Sequence, residues 1–317
     1  MIILIISFTV SFLVLIGLLK TNLANIALDA PNHRSLHTTL TPRTGGLAIM
    51  LGALIAFAML GELLTWIAVV AGFMLVSLLD DVRGLQVRWR LAIQLLLCVG
   101  FVWFFMLGQP WWVLLFAVPA LAWITNLYNF MDGSDGLAGG MALFGFGAYA
   151  LASYMVGNVQ VALMCGAIAT ANLAFLLFNF YPAKIFMGDA GSIPLGFLAG
   201  AIGLYGWQQG VWPMWFPALI FSPFIADATV TLLKRVLRRE KVWQAHREHY
   251  YQRLVQMGWG HKKTALAEYL LMLSIAICAL VMLKLSYSWV ILLLLFWLFF
   301  YFFIMLKIDK LWKQRLP

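Results

Sequence analysis

The stretch WWVLLFAVPALAWITNLYNFMDGSDG, residues 111–136, decides the fold class, because a long apolar run ends in two aspartates. The run 111–128 has about the length of a helix that crosses a bilayer. An ionised Asp at the bilayer centre costs roughly 2.5–3.5 kcal/mol, so Asp132 and Asp135 are functional candidates. If the segment is helical, the i, i+3 spacing places both carboxylates on one face. Two acids beside turn-forming glycines are suited to a divalent cation and, through it, to phosphate.

Similar apolar runs recur along the whole chain of 317 residues, of which 64% are hydrophobic and 10% are charged. This composition excludes an ordinary soluble domain, in which about 25% of the residues are charged. The sequence therefore predicts an all-α, polytopic integral membrane protein with about eleven transmembrane helices in a single domain, 1–317. The predicted spans are 1–19, 45–61, 63–79, 91–107, 111–128, 139–157, 159–179, 193–209, 213–233, 264–283 and 288–306.

The basic residues orient these spans. If the chain starts outside and alternates, 20 of the 21 Lys and Arg residues face the cytoplasm and only Lys284 lies outside. The net charge of +9 is then explained by positive-inside topology and by contact of the protein with anionic headgroups of the lipid bilayer. The charge therefore requires no nucleic acid as a partner.

Five polar clusters fall on the cytoplasmic side of this topology, whereas the opposite loops carry almost no chemically active side chains. Among the twelve acids, Glu62 alone is placed clearly outside. The asymmetry predicts one active site, built from cytoplasmic loops at the membrane interface. The clusters lie in the loops 20–44, 80–90, 126–138, 180–192 and 234–263.

Each cluster also has a purely structural interpretation. Asp80 and Asp81 could end a helix in water, although a helix C-terminus disfavours acids. The run GDAGS, 188–192, is either a turn or a phosphate site at a helix N-terminus.

The later clusters leave similar alternatives. His246 and His249 are either surface histidines or, with neighbouring arginines, part of an anion site. Asp227 lies about two turns inside its span, as a partner for Arg235 or Lys234 or as a site residue.

Taken in order, five motifs resemble those of the polyprenyl-phosphate N-acetylhexosamine-1-phosphate transferases, glycosyltransferase family 4. This superfamily includes the muramoyl-pentapeptide translocase and the transferases that initiate O-antigen synthesis. The resemblance covers the chain from the first loop to about residue 264. The motifs are DAPNHRSLH with TPRTGG (29–37 and 41–46), DD (80–81), NFMDGSDGLAG (129–139), FMGDAGS (186–192) and HREHYYQRL (246–254).

The resemblance implies a Mg²⁺-dependent glycosyl-1-phosphate transferase, multi-pass in the bacterial inner (plasma) membrane. A phosphate oxygen of undecaprenyl phosphate would attack the sugar-linked phosphorus of a UDP-activated N-acetylated sugar. The products are polyprenyl-diphospho-sugar and UMP. Such chemistry requires alignment and charge neutralisation more than covalent help from the protein. In the family this step initiates O-antigen and other cell-surface polysaccharides, and members can form homodimers.

The resemblance also implies roles for single residues. Asp189 would be a Mg²⁺ ligand. Asp132 and Asp135 would be catalytic and would help to hold the metal or the diphosphate, with Asn129 nearby. Phe186 would stack on the uracil.

Asp80 and Asp81 occupy the position of the paired catalytic acids of the family, for which a base role and a covalent aspartyl route have both been argued. A phosphate monoester is largely dianionic at pH 7, because its second pKa is near 6, so a base is not essential. Arg43 would lie near the lipid phosphate. By the same resemblance, the late motif would place His246, Arg247 and His249 at the diphosphate or the sugar.

Two departures from the translocase pattern bear on these roles. The translocase has a Lys four residues after the first Asp of the pair, where this chain has Gly84. Arg83, Arg88 or Arg90 is expected to supply that cation. The motif HREHYYQRL is closer to the O-antigen and capsule initiating transferases of Gram-negative bacteria, some of which use 6-deoxy N-acetylated sugars.

Three alternatives stay open at this stage. They are a polytopic secondary transporter, a peptidoglycan-type phospho-MurNAc-pentapeptide transferase and an inactive relative that binds lipid phosphate. A transporter would carry its acids near the midplane, on broken helices in symmetry-related halves. Here the acids cluster at one set of helix ends, which favours the transferase.

Overall fold

The computed structural model describes residues 1–21, 24, 26–29, 36, 40–61, 64–241, 244 and 246–315. This part of the chain is all-α, as predicted, apart from the antiparallel pair of β1 (Leu28–Asp29) and β2 (Thr41–Pro42). The helices are α1 (Ile2–Lys20), α2 (Gly45–Met59), α3 (Leu64–Arg83), α4 (Val87–Met106), α5 (Trp111–Phe130), α6 (Leu137–Met155), α7 (Val159–Asn179), α8 (Asp189–Gln208), α9 (Trp215–Ile220), α10 (Ser222–Leu237), α11 (Tyr250–Leu254), α12 (Gly260–Met282) and α13 (Tyr287–Lys313).

Nine helices in the described ranges are long and apolar enough to cross a membrane. They are α1, α3 to α8, α13 and the unit Tyr250–Met282, in which a π-turn, Val255–Trp259, joins α11 to α12. The prediction of a polytopic membrane protein is therefore confirmed.

Two of the eleven predicted spans take a different form. The span 45–61 is the 15-residue helix α2. The span 213–233 is not one helix, because it breaks at Phe221 into α9 and α10. The cause is Pro223 in the first turn of α10, since proline lacks an N–H and cannot continue a preceding helix.

The centre of the bundle consists of α6, α7 and α8. Helix α6 packs along α7, α7 also contacts α1 and α2, and α8 packs between α3 and α5. The contact faces of α6 and α7 are rich in buried Ala and Gly, which allow close approach of membrane helices. In contrast, α1 and α13 are mostly exposed, as expected of helices that face lipid.

An aromatic cluster fixes the relative position of α3, α4 and α8. The ring centroids of Phe73 and Phe197 are 4.5 Å apart, and those of Trp66 and Phe101 are 5.1 Å apart. Such aromatic pairs stabilise the packing of helices by more than their buried area alone provides. Because these three helices carry the paired aspartates, Arg90 and Asp189 at their ends, the cluster sets the geometry of the polar site.

The connections that carry the predicted site residues lie at one end of the bundle, which we call the aspartate side. It comprises the described parts of 21–44 together with 84–86, 131–136, 180–188 and 238–249. Most of the motif DAPNHRSLH, with Asn32, His33, Arg34 and His37, lies outside the described residues, as does Glu62.

Candidate active site

The paired aspartates at the end of α3 are held by different partners. The helix ends at Arg83, and the next residue, Gly84, has a φ of +66°, the left-handed conformation that glycine adopts readily after a helix C-terminus. Asp80 Oδ1 accepts a hydrogen bond from Leu85 N–H at 2.7 Å. Asp81 Oδ2 accepts from Ala190 N–H at 3.2 Å, and its Oδ1 lies 3.9 Å from an Arg43 nitrogen. Asp81 therefore ties α3 to the start of α8.

Arg90, in the first turn of α4, connects two of the predicted acids. Its Nη1 lies 2.8 Å from Asp80 Oδ2 and 3.3 Å from Asp189 Oδ2. Arg83 and Arg88 are exposed, and the structure does not bring Arg83 to the other site residues. Of the three candidate arginines, Arg90 thus takes the position beside the acids.

The motif FMGDAGS runs alongside TPRTGG. Phe186 N–H donates to Pro42 O at 2.7 Å, and Gly45 N–H donates to Phe186 O at 2.9 Å. Gly188 has φ +69°, and a Cβ at this residue would lie 2.2 Å from Arg43 O. The close approach therefore requires glycine, and it places Arg43 next to the start of α8.

The next contact joins α8 to α5. Asp189 is the first residue of α8, and Ser192 Oγ, one turn later, donates to Asn129 Oδ1 at 2.9 Å. Asn129 precedes the end of α5 and the loop that carries Asp132. The structure thus brings Asn129, Asp132 and Asp189 together around one cavity.

The two aspartates of residues 131–136, the aspartate loop, have different surroundings. The helix-face expectation for Asp132 and Asp135 does not apply, because α5 ends at Phe130 and the loop is a turn. Asp135 is buried, and its Oδ2 accepts from Ala183 N–H at 3.0 Å. Asp132 is partly buried, and within the described residues no N–H or O–H donates to its carboxylate.

The acids surround a cavity of about 140 Å³, which we call the acidic cavity. Its described lining carries four carboxylates and one arginine. Burial raises the pKa of the Asp132 carboxyl well above its usual range, and the charges of Asp189, Asp81 and Asp29 raise it further. The lining residues are Asp29, Arg43, Asn129, Asp132, Gly133, Ser134, Asp135, Asn179, Phe186, Gly188, Asp189 and His261.

The donor set of this cavity fits a hard cation. Its charged ligands are carboxylates, and a divalent ion would offset the repulsion that Asp132 experiences from its neighbours. No group of three or more His, Cys, Asp or Glu side chains in the described ranges is arranged to hold a metal alone. Mg²⁺ needs no such group, since it usually binds through one or two carboxylates plus substrate phosphates.

A second, larger cavity of about 580 Å³, which we call the apolar cavity, lies between α4, α5, α10 and the segment 244–252. Its walls are mostly apolar, and its polar lining includes Arg90, Asn126 and two histidines. The lining residues are Val87, Arg90, Leu91, Leu95, Pro119, Ala122, Trp123, Asn126, Phe130, Leu232, Gln244, His246, His249 and Gln252.

His246 and His249 line the apolar cavity, and neither is among the described residues that line the acidic cavity. The rings of His246 and His249 are 4.8 Å apart. Burial lowers the pKa of His246 to about 4, and the nearby His249 and Arg235 lower it as well, so His246 is neutral at pH 7. Arg247 is exposed at the surface beside them.

Asp227 positions this histidine segment. Its two carboxylate oxygens accept from Tyr250 N–H and Tyr251 N–H, both at 2.9 Å, so Asp227 caps the N-terminus of α11. His249 Nδ1 lies 3.2 Å from Asp227 Oδ1. The interpretation of Asp227 as an ion-pair partner for Arg235 or Lys234 is wrong, because both bases have other acidic partners.

The C-terminal helix is joined to the same segment by a residue that the sequence did not single out. Asp309 of α13 accepts from Arg253 Nη1 at 2.8 Å and also pairs with Lys234 of α10. One acid thus links α10, α11 and α13. A second residue absent from the sequence-based candidates, His261, lines the acidic cavity. The run GHKK is typical of basic residues at a helix start, so only the spatial neighbours of His261 indicate that it belongs to the site.

The helices, the acidic cavity and the adjoining apolar cavity define a polytopic membrane protein with a polar site at one end of its bundle. Residues 63–206 match the family described as Glycosyl transferase family 4. A probable undecaprenyl-phosphate N-acetylglucosaminyl 1-phosphate transferase of Bacillus subtilis (strain 168) is 31% identical over 285 residues, which cover 83% of this chain and 79% of that protein. The chain belongs to glycosyl transferase family 4, as its motifs predict.

Two further relatives carry different names. The undecaprenyl-phosphate alpha-N-acetylglucosaminyl 1-phosphate transferase of Yersinia pestis is 27% identical over 285 residues, covering 80% of this chain and 75% of that protein. The phospho-N-acetylmuramoyl-pentapeptide-transferase of Shouchella clausii (strain KSM-K16) is 31% identical over 273 residues, covering 75% and 82%. The relatives are thus sugar-phosphate transferases of more than one donor class.

Proposed function

We propose that this protein transfers an N-acetylated amino-sugar 1-phosphate from a UDP-sugar to undecaprenyl phosphate and releases UMP. The reaction would take place at the cytoplasmic face of the inner membrane. The observation that carries the proposal is the position of Arg90, which lines the apolar cavity and lies 3.3 Å from Asp189 in the acidic cavity. A polar site and an apolar site thus meet at one guanidinium group.

The two cavities differ in the way that the two substrates differ. The acidic cavity suits the diphosphate of the UDP-sugar together with Mg²⁺, and Asp132 and Asp189 would hold the ion there. Phe186 lies in the same lining, where an aromatic ring can stack on uracil. Arg43 Nε is buried without a hydrogen-bond partner among the described residues, so it is available to a phosphate oxygen.

The apolar cavity suits the polyprenyl acceptor. Leu91, Leu95 and Trp123 provide apolar walls for isoprenoid units, and Arg90 provides a charged partner for the phosphate. Trp123 also lines a further apolar cavity of about 250 Å³ between α5, α8 and α9. The tail would extend along this path between the helices.

The chemical step forms a P–O bond between the lipid phosphate and the sugar-linked phosphorus, and it breaks the P–O bond to UMP. Bound Mg²⁺ would supply neutralisation of the diphosphate charge. Arg90 would orient the lipid phosphate, and Asp80 fixes the guanidinium of Arg90. The carboxylates of Asp80 and Asp81 each accept a hydrogen bond from a backbone N–H of the protein. These bonds support direct attack by the lipid phosphate over a covalent aspartyl intermediate.

The test is UMP release by the purified protein in detergent with undecaprenyl phosphate, Mg²⁺ and separate UDP-sugars. The panel contains UDP-N-acetylglucosamine, 6-deoxy N-acetylated UDP-sugars and UDP-MurNAc-pentapeptide. We expect UMP from an N-acetylated hexosamine donor only when the lipid and Mg²⁺ are both present. UMP from the MurNAc donor alone would assign the peptidoglycan reaction, and no UMP from folded protein would contradict a transferase.

The role in surface-polysaccharide initiation is the finer part of the proposal. It is supported by the motif HREHYYQRL, which resembles the O-antigen and capsule enzymes. Turnover of a 6-deoxy donor or of UDP-N-acetylglucosamine supports this role. A transporter would need sealed vesicles and a gradient to show its activity, so UMP release in detergent also distinguishes a transferase from a transporter.

A further inference from the structure

We propose that His261 is a positioning residue that holds the aspartate loop in the geometry required for transfer, an inference that rests on the proposed function. His261 is the second residue of α12, and its ring reaches the loop between α5 and α6. Its Nδ1 lies 2.9 Å from Ser134 Oγ and 3.3 Å from Asp135 N. Its Nε2 lies 3.1 Å from Leu36 O.

These partners assign a hydrogen-bonding role to each ring nitrogen. The Asp135 N–H can only donate, so Nδ1 must accept and carries no proton. The Leu36 carbonyl can only accept, so Nε2 carries the proton and donates it. Both ring nitrogens of His261 are thus engaged, and the Asp135 carboxylate lies 3.6 Å from Nδ1. The hydrogen bonds of His261 suit it to hold three segments together and not to transfer protons.

The ring also contacts the turn before α8. His261 stacks on Tyr181 with centroids 6.1 Å apart and planes 11° apart. The N–H of Asp135 donates to the ring, and the carboxylate of Asp135 accepts a hydrogen bond from Ala183 N–H of the same turn. One imidazole therefore joins the start of α12, the aspartate loop, Leu36 and the turn 180–185.

The loop needs such a clamp because of Asp132. Within the described residues no donor fixes its carboxylate, so its position follows from the backbone of the loop. Asp132 is three residues from Asp135, and it lines the same cavity as His261. Release of the clamp would therefore displace Asp132 while leaving the apolar cavity intact, because His261 lies outside the described lining of that cavity.

Three variants separate the two ring nitrogens. His261→Ala removes both interactions. In His261→Asn a side-chain oxygen can replace Nδ1 as the acceptor, and in His261→Gln a side-chain N–H can replace Nε2 as the donor. Lys262→Ala, at the exposed neighbouring residue, is the matched control.

We expect His261→Ala to lower kcat by about 10²-fold, since small misplacement of catalytic groups has effects of this order. KM for undecaprenyl phosphate should stay within about twofold, and the apparent Tm in detergent should stay close to that of the wild type. His261→Asn should restore most of kcat, and His261→Gln should restore less. Unchanged kcat in His261→Ala, or a fall in Tm with equal loss in all three variants, would overturn the proposal.

A second measurement does not depend on turnover. Amide hydrogen exchange of the peptide covering 131–137 should be faster in His261→Ala than in the wild type and in Lys262→Ala. Unchanged exchange would exclude the clamp. If the wild type released no UMP from any donor, the proposed function would fail, whereas the exchange result would still decide whether His261 holds the loop.

Discussion

The acidic cavity and the apolar cavity lie side by side but are built in different ways. The acidic cavity is formed largely by loops and helix ends, with four carboxylates in its described lining. The apolar cavity is formed by the faces of α4, α5 and α10, with Arg90 and two histidines at its polar part. The acidic cavity is therefore suited to a charged, water-soluble molecule, and the apolar cavity to a lipid. Arg90 and Asp189 mark the place where the two would react.

The largest expected effect comes from the acidic cavity. Asp189→Asn removes one negative charge from the site proposed for the metal and should lower kcat by about 10²–10³-fold, the order seen when a group that stabilises the transition state is removed. Initial rates of UMP release at varied Mg²⁺ measure the effect. Glu268→Gln, which removes a carboxylate that lines neither described cavity, is the control. Normal turnover in Asp189→Asn would contradict the metal assignment.

The junction between the cavities should be the next most sensitive point. Arg90→Lys keeps the charge but loses the planar guanidinium whose Nη1 lies near both Asp80 and Asp189, so kcat/KM should fall by about 10–100-fold. The exposed Arg88→Lys is the matched control. Equal activity of the two variants would show that Arg90 does not join the sites.

A bulky residue in the apolar cavity should separate the substrates. Leu95→Trp narrows the proposed path of the tail and should raise KM for undecaprenyl phosphate by about tenfold, with little change in KM for the UDP-sugar. Leu96→Trp places the same ring on the neighbouring exposed position and should behave as the wild type. A rise in KM for the nucleotide instead would assign the cavities the other way round.

The smallest expected effect is on pH dependence. The pKa of His246 is about 4 in the folded protein and about 6.5 in the unfolded chain, so the unfolded chain binds more protons between these values. Its contribution to stability is therefore present above pH 6.5 and is lost as the pH falls toward 4. The apparent Tm in detergent should decline less over this range in His246→Gln than in the wild type. Parallel declines would remove His246 from this role.

The helices could be predicted from the sequence because apolar length is a local property of the chain. Each predicted span corresponds to a helix or, at 213–233, to the pair α9 and α10. The family could be predicted as well, since its motifs are short and lie in order. The single catalytic domain over 1–317 and the homodimer stay predictions.

The contacts between distant segments could not be predicted in the same way. The choice of Arg90 over Arg83 depends on how α3, α4 and α8 pack, which no local pattern records. His261 contacts Ser134 across 127 positions of sequence, and its run GHKK resembles an ordinary basic helix start. Asp227 illustrates a further limit, because its partners are backbone N–H groups, which every sequence contains.

Whether the lipid acceptor binds in the apolar cavity is tested most directly by photo-crosslinking with a polyprenyl phosphate analogue that carries a benzophenone on its first isoprenoid units. Peptide mapping by mass spectrometry locates the modified residues. We expect crosslinks in α4 and α5, at residues such as Leu91, Leu95 and Trp123, which excess undecaprenyl phosphate suppresses and excess UDP does not. Crosslinks confined to the acidic cavity, at the aspartate loop or 186–189, would contradict binding of the lipid in the apolar cavity.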